Sequence, residues 1–398
     1  MNTDTEARIQ AEFEHARAGG DPPPFDGDVS EARARDYFDE RTFADELRDV
    51  FRRAWVPIAR ASEVAARGAF ATAEIAGSPL VVIGGDDGRA RVLHNACKHR
   101  GTQIVRAERG TVAELRCPYH GFTYALDGRW TSAPHVEVAD VRGGIGDLKL
   151  DAVDSVSWNG WICARLAHDD LAPGAQFFDA SLTDELVHWE LARAEVKDRR
   201  SIDVDFNWKI GVEAFLEPLH VPAIHARTVH PVVEIRASAM RSFGPHSRMA
   251  LAFRSPRTFE PDGPMGRAAA EQGVVAPVRL NGVQRTSNFS YLLFPCTVLN
   301  FLPTHFTLYR MLPLTPKRTR VTYELYGMPA ESDAQRAYYE SLRAGYDAIL
   351  AEDLENLPWI QRGLEGGSLE RLALTSHERR IRHFHASLAR WRAGATTS

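Results

Sequence analysis

Two short segments of this chain carry closely spaced soft ligands. The first reads His94-Asn95-Ala96-Cys97-Lys98-His99-Arg100-Gly101 and the second Leu115-Arg116-Cys117-Pro118-Tyr119-His120-Gly121-Phe122. Seventeen residues, Arg100 to Arg116, separate the two Cys/His pairs. The pairs are unequal, Cys-x-His and then Cys-x-x-His. Two thiolates can hold one iron of a two-iron, two-sulfur cluster while two neutral imidazoles hold the other, which raises its potential to roughly −150 to +300 mV. Such a centre passes one electron at a time. Zinc uses the same ligand types, but within a pair it favours two to four intervening residues, which the Cys97-x-His99 pair does not offer. Gly101 and Gly121 suit tight turns that turn backbone donors toward inorganic sulfide.

A second group lies in Asn207-Trp208-Lys209-Ile210-Gly211-Val212-Glu213-Ala214-Phe215-Leu216-Glu217-Pro218-Leu219-His220-Val221-Pro222-Ala223-Ile224-His225. Read as a helix over 207–219, it places Glu213, Glu217 and His220 on one stripe. His225, five residues past His220, falls about 140° away on a regular helix. Pro222 between them predicts a distortion or an end there, which can bring both imidazoles to one point. Two histidines and a carboxylate on one face make an Fe(II) site with positions left open for dioxygen. For the carboxylate, the helix predicted over 332–362 has an apolar stripe Tyr339, Leu342, Tyr346, Ile349 that continues into Asp353. A carboxylate in a buried stripe needs a partner, since burying it alone is costly. That partner is either a metal or a structural cation. Glu352 and Glu355 fall off the stripe and read as solvated.

These residues need a scaffold, and the chain is long enough to supply one. Its 398 residues suggest two domains or one large one. With 44% hydrophobic and 25% charged residues and a net charge of −5, it has an ordinary globular composition, and nothing points to nucleic acid or an anionic membrane. The acidic, polar N-terminus lacks the basic and apolar regions of a secretory signal, and no apolar run is long enough for a bilayer. Four cysteines in such a chain argue against a disulfide framework. A cytoplasmic setting is expected.

Residues 1–50 read as a helical arm broken at Gly19-Gly20-Asp21-Pro22-Pro23-Pro24. Short β-type runs follow at Phe70–Ile75, Leu80–Ile83 and Val92-Leu93, with turns at 84–88 and 127–128. They predict a small antiparallel β domain over 51–167 that closes on the strand Trp161-Ile162-Cys163-Ala164. Strand-like runs at 289–301, 305–312 and 319–328 before the long helix predict an α+β domain over 168–398.

Taken together, the motifs resemble the Rieske non-haem iron oxygenases, the oxygenase (alpha) components of the ring-hydroxylating family. The resemblance rests on His-Arg-Gly after the first pair, Cys-Pro-Tyr-His-Gly-Phe at the second, Asn-Trp-Lys ahead of Glu-x-x-x-Glu-x-x-His-x-x-x-x-His, and Asp353-Leu354-Glu355-Asn356-Leu357. It implies an α+β fold, with an N-terminal antiparallel β Rieske [2Fe-2S] domain and a C-terminal helix-grip (START-like) catalytic domain. It further implies that Cys97, His99, Cys117 and His120 hold the cluster and that His220, His225 and Asp353 hold a mononuclear Fe(II). The implied chemistry is reductive activation of O2 to hydroxylate or demethylate a small aromatic or hydrophobic substrate.

In this family trimers pack head to tail, and an acidic residue, usually Asp, links a cluster histidine to an iron histidine of the neighbouring subunit. The matching residue is Glu217, giving a path from His120 through Glu217 to His220; a structural ion pair is the alternative. Other departures are Phe122 for the usual Trp, Ala214 for Asn and Leu219 for Tyr. Asn207 matches a family residue near the iron, or it caps the helix. No nicotinamide or flavin fingerprint is evident, so an NAD(P)H-dependent reductase, with or without a ferredoxin, is expected as partner; a small beta subunit occurs in some assemblies. Phe206, Phe215, Phe243, Leu293, Phe294, Asn300, His305 and Thr307 are candidate pocket residues.

Overall fold

The computed structural model describes residues 1–21, 25, 31–134, 148–167, 174–277 and 279–394. The Pro22-Pro23-Pro24 part of the expected break and the expected boundary at 167/168 lie at or outside the edge of these segments. The chain divides into two compact units, 51–174 and 1–50 with 175–398.

The smaller unit is built from short antiparallel strands. One sheet has the order Ala90–His94, Ser78–Gly84, Ala69–Ile75, Arg109–Thr111, and a second Leu115–Arg116, Thr123–Tyr124, Trp130–Ser132. The third joins Asp154–Trp158, Trp161–Arg165 and Val56–Arg60. The register pairs Phe70 with Ile83 and Thr72 with Val81, so alternate side chains enter separate cores. One core contains Val81, Ile83, Leu93 and Leu115 together with Cys97, Cys117, Phe122 and Tyr124. The two cysteine-bearing turns are thereby anchored in the apolar interior.

The larger unit contains a seven-stranded antiparallel sheet in the order Glu195–Val204, Arg318–Gly327, His305–Thr315, Thr297–Leu302, Ser287–Leu293, His246–Phe253, Val233–Phe243. The long helix Asp333–Glu365 starts at Ser332, whose hydroxyl and Gln335 form a reciprocal cap. It packs on the first strand of the sheet and on the short helix Trp208–Glu213.

The arm belongs to this unit. Its helix Thr3–Arg17 lies on Val233–Phe243, but the arm is less helical than its sequence suggests: Glu31–Arg33 is a strand paired with Arg371–Ala373. A buried ion pair fixes it further, since Lys209 Nζ sits 2.8 and 3.0 Å from the Glu46 carboxylate oxygens and Trp208 Nε1 donates to the same group at 2.8 Å. Asn-Trp-Lys thus ties the arm to the helix that leads into the histidine segment.

That segment is not the continuous helix expected over 207–219. The helix ends at Glu213, turns occupy 214–220, and a second short helix spans Val221–Ile224. Pro218 lies within this stretch, where it has no N–H to continue the helix and disfavours helical backbone at Glu217. Pro222 sits in the first turn of the second helix, where proline is tolerated. Glu213 therefore does not share a stripe with Glu217 and His220. Its Oε1 accepts instead from Tyr37 at 2.7 Å and lies 2.9 Å from His385 Nε2.

Candidate metal centres

In the smaller unit the two ligand-bearing turns are mirror constructions. Gly101 N donates to Cys97 O at 2.8 Å and Gly121 N to Cys117 O at 3.1 Å, with both glycines at positive φ, 74° and 67°. An L side chain is strained there. The thiols of Cys97 and Cys117 are buried, while His99 is exposed and His120 half-exposed. The imidazoles face each other with Nδ1 atoms 3.1 Å apart, within reach of one cation at ordinary metal–imidazole lengths of about 2 Å. Desolvation, His120 and Arg100 all hold the His99 pKa below its usual value, favouring the neutral form that ligates. Phe122 stacks on the His99 ring at 4.6 Å, so the aromatic that replaces the usual Trp packs on a ligand.

Tyr124, which the motif reading missed, adds a donor. Its hydroxyl accepts from Lys98 N at 3.1 Å and stands 3.4 Å from Cys97 Sγ, which leaves its own proton for the sulfur. Cys163 and Cys296 are buried and unpaired, and burial pushes the Cys296 thiol up to about 12; neither is a nucleophile.

In the larger unit His220, His225 and Asp353 bring one ligand atom each within 4.8 Å of one another. Asp353 Oδ1 lies 3.1 Å from His225 Nε2 and 4.0 Å from His220 Nε2, and the two rings are inclined at 72°. Each imidazole has its other nitrogen occupied by a carboxylate. His220 Nδ1 is 2.6 Å from Glu217 Oε1 and His225 Nδ1 is 2.7 Å from Glu352 Oε2. With the proton on Nδ1, each ring presents its Nε2 lone pair inward, the arrangement that orients histidine toward a metal. Two imidazole nitrogens and one carboxylate oxygen, with no fourth side chain in the group among the described residues, suit an iron with open positions.

Glu352 is a correction to the sequence reading. It is only part-exposed, and its bond to His225 is the long-range contact that the helical stripe could not reveal. Glu355 is exposed, as expected. Asn207 stands at the N-cap of Trp208–Glu213: its Oδ1 accepts from Lys209 N at 3.0 Å and its Nδ2 donates to Pro316 O at 2.6 Å. Both ends of this buried amide serve the fold.

One face of the sheet carries Tyr309, Thr307 and Asn300, since Thr307 pairs with Asn300 and lies two residues from Tyr309. Phe215 lies against Tyr309 at 4.6 Å. Burial raises the Tyr309 pKa, with Thr307 opposing the rise and Asp353 adding to it. Of the remaining pocket candidates, Phe294 packs on Phe384 and Trp391, Phe243 lies under Arg241, and Phe206 and Leu293 are core. His305 is buried in a polar chain, 2.7 Å from Tyr346 Oη and 2.9 Å from Thr304 Oγ1. The face is therefore more polar than a mostly apolar lining.

Comparison with known proteins agrees with this construction. The Rieske [2Fe-2S] domain family matches residues 54–142 and the family described as ring hydroxylating alpha subunit (catalytic domain) matches residues 191–394. The glycine betaine monooxygenase oxygenase subunit of Chromohalobacter salexigens is 29% identical over 353 residues, covering 82% of this chain and 78% of its own. The 2-aminobenzenesulfonate 2,3-dioxygenase subunit alpha of Alcaligenes sp is 28% identical over 355 residues, covering 86% and 87%. A crystal structure of a quaternary ammonium Rieske monooxygenase, described with carnitine oxidation and inter-subunit electron transfer, superposes with a TM-score of 0.76 at 20% identity, covering 92% and 97%.

The two family matches define a Rieske-type oxygenase, and the chain belongs to the ring-hydroxylating alpha-subunit family. It is a terminal oxygenase that binds a Rieske [2Fe-2S] cluster and a mononuclear iron, and it takes its electrons from a separate redox protein. Among the described residues no helix is long and apolar enough to cross a membrane.

Proposed function

We propose that Cys97, His99, Cys117 and His120 hold the cluster, that His220, His225 and Asp353 hold the iron, and that the substrate is a small organic cation oxidised at an N-methyl group. The observation that carries the substrate reading is the charge of the iron site. Asp353, Glu217 and Glu352 bring three carboxylates to the two imidazoles, so a ferrous ion leaves a net charge of about −1, which favours a cation over a neutral arene. Phe215 and Tyr309 offer an aromatic face of the kind that binds quaternary ammonium groups. Glycine betaine monooxygenase among the relatives acts on such a compound.

Iron, when bound, supplies reductive activation of dioxygen, with one electron from the metal and one from the cluster. The protein's residues do the rest. Glu217 and Glu352 fix the histidine tautomers. The Phe215–Tyr309 face and the carboxylates orient the cation with a methyl group toward the triad. Hydroxylation consumes one O2, two electrons and two protons per methyl group and yields water and an N-hydroxymethyl product. That product loses formaldehyde to leave a protonated tertiary amine.

For electron delivery we place the chain in a cytoplasmic homotrimer, with a path from His120 of one subunit through Glu217 to His220 of the next. The supply is an NAD(P)H-dependent reductase, directly or through a ferredoxin, and a small beta subunit is compatible with this arrangement. Glu217 has a local duty as well: its Oε2 accepts the Leu219 and His220 amides. The extra methylene relative to Asp lets the carboxylate curl back over its own turn while Oε1 holds the ring.

The test is turnover with a surrogate reductase, following NADH, O2 and formaldehyde. Glycine betaine and carnitine stand for N-methyl cations and 2-aminobenzenesulfonate for the aromatic alternative suggested by the dioxygenase relative. Formaldehyde in step with NADH on a cationic probe supports the reading; coupled turnover of the arene alone overturns it.

A further inference from the structure

Consecutive residues of the long helix address opposite nitrogens of one imidazole. Asp353 Oδ1 lies 3.1 Å from His225 Nε2, and Glu352 Oε2 lies 2.7 Å from His225 Nδ1. The same Glu352 oxygen accepts from Thr228 Oγ1 at 2.6 Å. Thr228 lies three residues past His225, whose carbonyl accepts the amides of Thr228, Val229 and His230. Backbone and ring of His225 are therefore fixed from separate directions.

We infer that Glu352, seated by Thr228, is a positioning residue for the iron site: it sets the His225 tautomer and ring orientation and strengthens Nε2 as a donor. The inference rests on the proposed role of His225 as a ligand. Two features separate it from an incidental surface ion pair. The His225 ring is buried, its side chain only 4% exposed, so an Nδ1–H without an acceptor has no water to turn to. Glu352 is also free of other duties, since the hydrogen bonds the structure gives it go to His225 and Thr228 alone. Glu217, its counterpart on His220, divides its oxygens between the ring and two backbone amides.

The two buttresses thus differ in kind. Glu217 comes from the same turn as its histidine, whereas Glu352 couples His225 to the helix that carries the third ligand. Movement of that helix would move Asp353 and the His225 buttress together.

The experiment measures Fe(II) affinity of the full chain by competitive chelation, and the electron paramagnetic resonance signal of the nitric oxide adduct, for the parent, Glu352→Ala, Glu352→Gln, Thr228→Val and His225→Ala. Cluster absorbance and circular dichroism serve as fold checks. Loss of a partner of this type weakens metal binding about 10- to 100-fold. Glu352→Ala is expected in that range with a broadened nitrosyl signal. Glu352→Gln, which keeps an acceptor but not the charge, is expected to lose less and to retain a sharp signal, and Thr228→Val to show the smallest loss. If His225→Ala abolishes iron binding while Glu352→Ala binds as tightly as the parent, the inference fails and the ligand reading stands. If His225→Ala also keeps parental affinity, the ligand reading itself fails.

Discussion

Glu217 Oε1 and His220 Nδ1 stand 2.6 Å apart, and the other oxygen of the same carboxylate takes the amides of Leu219 and His220. One side chain therefore shapes the turn after Pro218 and orients a ligand. Glu217→Gln is expected to keep both metals and lower electron transfer between them. In single-turnover experiments with reduced protein, O2 and substrate, the cluster should reoxidise at least about tenfold more slowly, the cost of ~1.4 kcal/mol in the barrier. Reoxidation at the parental rate would leave Glu217 only its local role.

Tyr124 gives a second prediction. Its hydroxyl is positioned to donate to Cys97 Sγ, and hydrogen bonds to cluster sulfurs set the potential. Tyr124→Phe should lower the reduction potential while the cluster's visible absorbance persists, as followed by a redox titration.

The buried pair of Lys209 and Glu46 concerns stability. Both side chains are almost fully enclosed, at 1% and 2% exposure. Removing one partner leaves a buried charge alone, at a cost of about 3–5 kcal/mol. Lys209→Met should lower the unfolding temperature by several degrees, with the cluster absorbance lost later than the helical signal if the small unit unfolds separately.

Three buried histidines set an acid limit. Burial pushes His246 and His383 down to about 4 and His305 down to about 3. His246 shows why: Nε2 faces Phe177 O at 2.6 Å and Nδ1 accepts from Phe294 N at 3.0 Å, leaving no place for a second proton. The native ring stays neutral where the unfolded one, near pH 6.5, is protonated. Their stability contribution is complete above about pH 6.5 and is lost as pH falls toward 4. Each depressed unit is worth ~1.4 kcal/mol. Chemical denaturation between pH 7.5 and 4.5 should show a steep loss, eased in His246→Gln below pH 6.

Much of the candidate site is legible in the sequence because its proposed ligands come in short, ordered motifs. Cys97, His99, Cys117 and His120 lie on two turns, and Asp353 continues the stripe through Tyr346. The strand-like run at 289–301 holds two strands, Ser287–Leu293 and Thr297–Leu302, and that at 305–312 lies within His305–Thr315. Glu352 escaped because helical periodicity records only which face is buried. Its neighbour on that face, Asp353, satisfied the pattern, and a side chain beside the stripe can still reach 2.7 Å from a ring supplied by residue 225. The helix break was assigned to Pro222 because it separates the histidines. In the structure the helix already ends at Glu213, ahead of Pro218, while Pro222 occupies the first turn of the second helix, which needs no donor. The strand Glu31–Arg33 is hidden by its shortness and by a distant partner, Arg33 pairing with Arg371, 338 residues away.

The measurement that bears most directly on the whole account is the metal and sulfide content of the purified chain, with its visible spectrum. The account predicts three irons and two acid-labile sulfides per chain, a Rieske-type absorbance, and loss of one iron alone in His225→Ala. Zinc without sulfide in a colourless protein would contradict it, as would two irons and two sulfides unchanged by reconstitution with Fe(II).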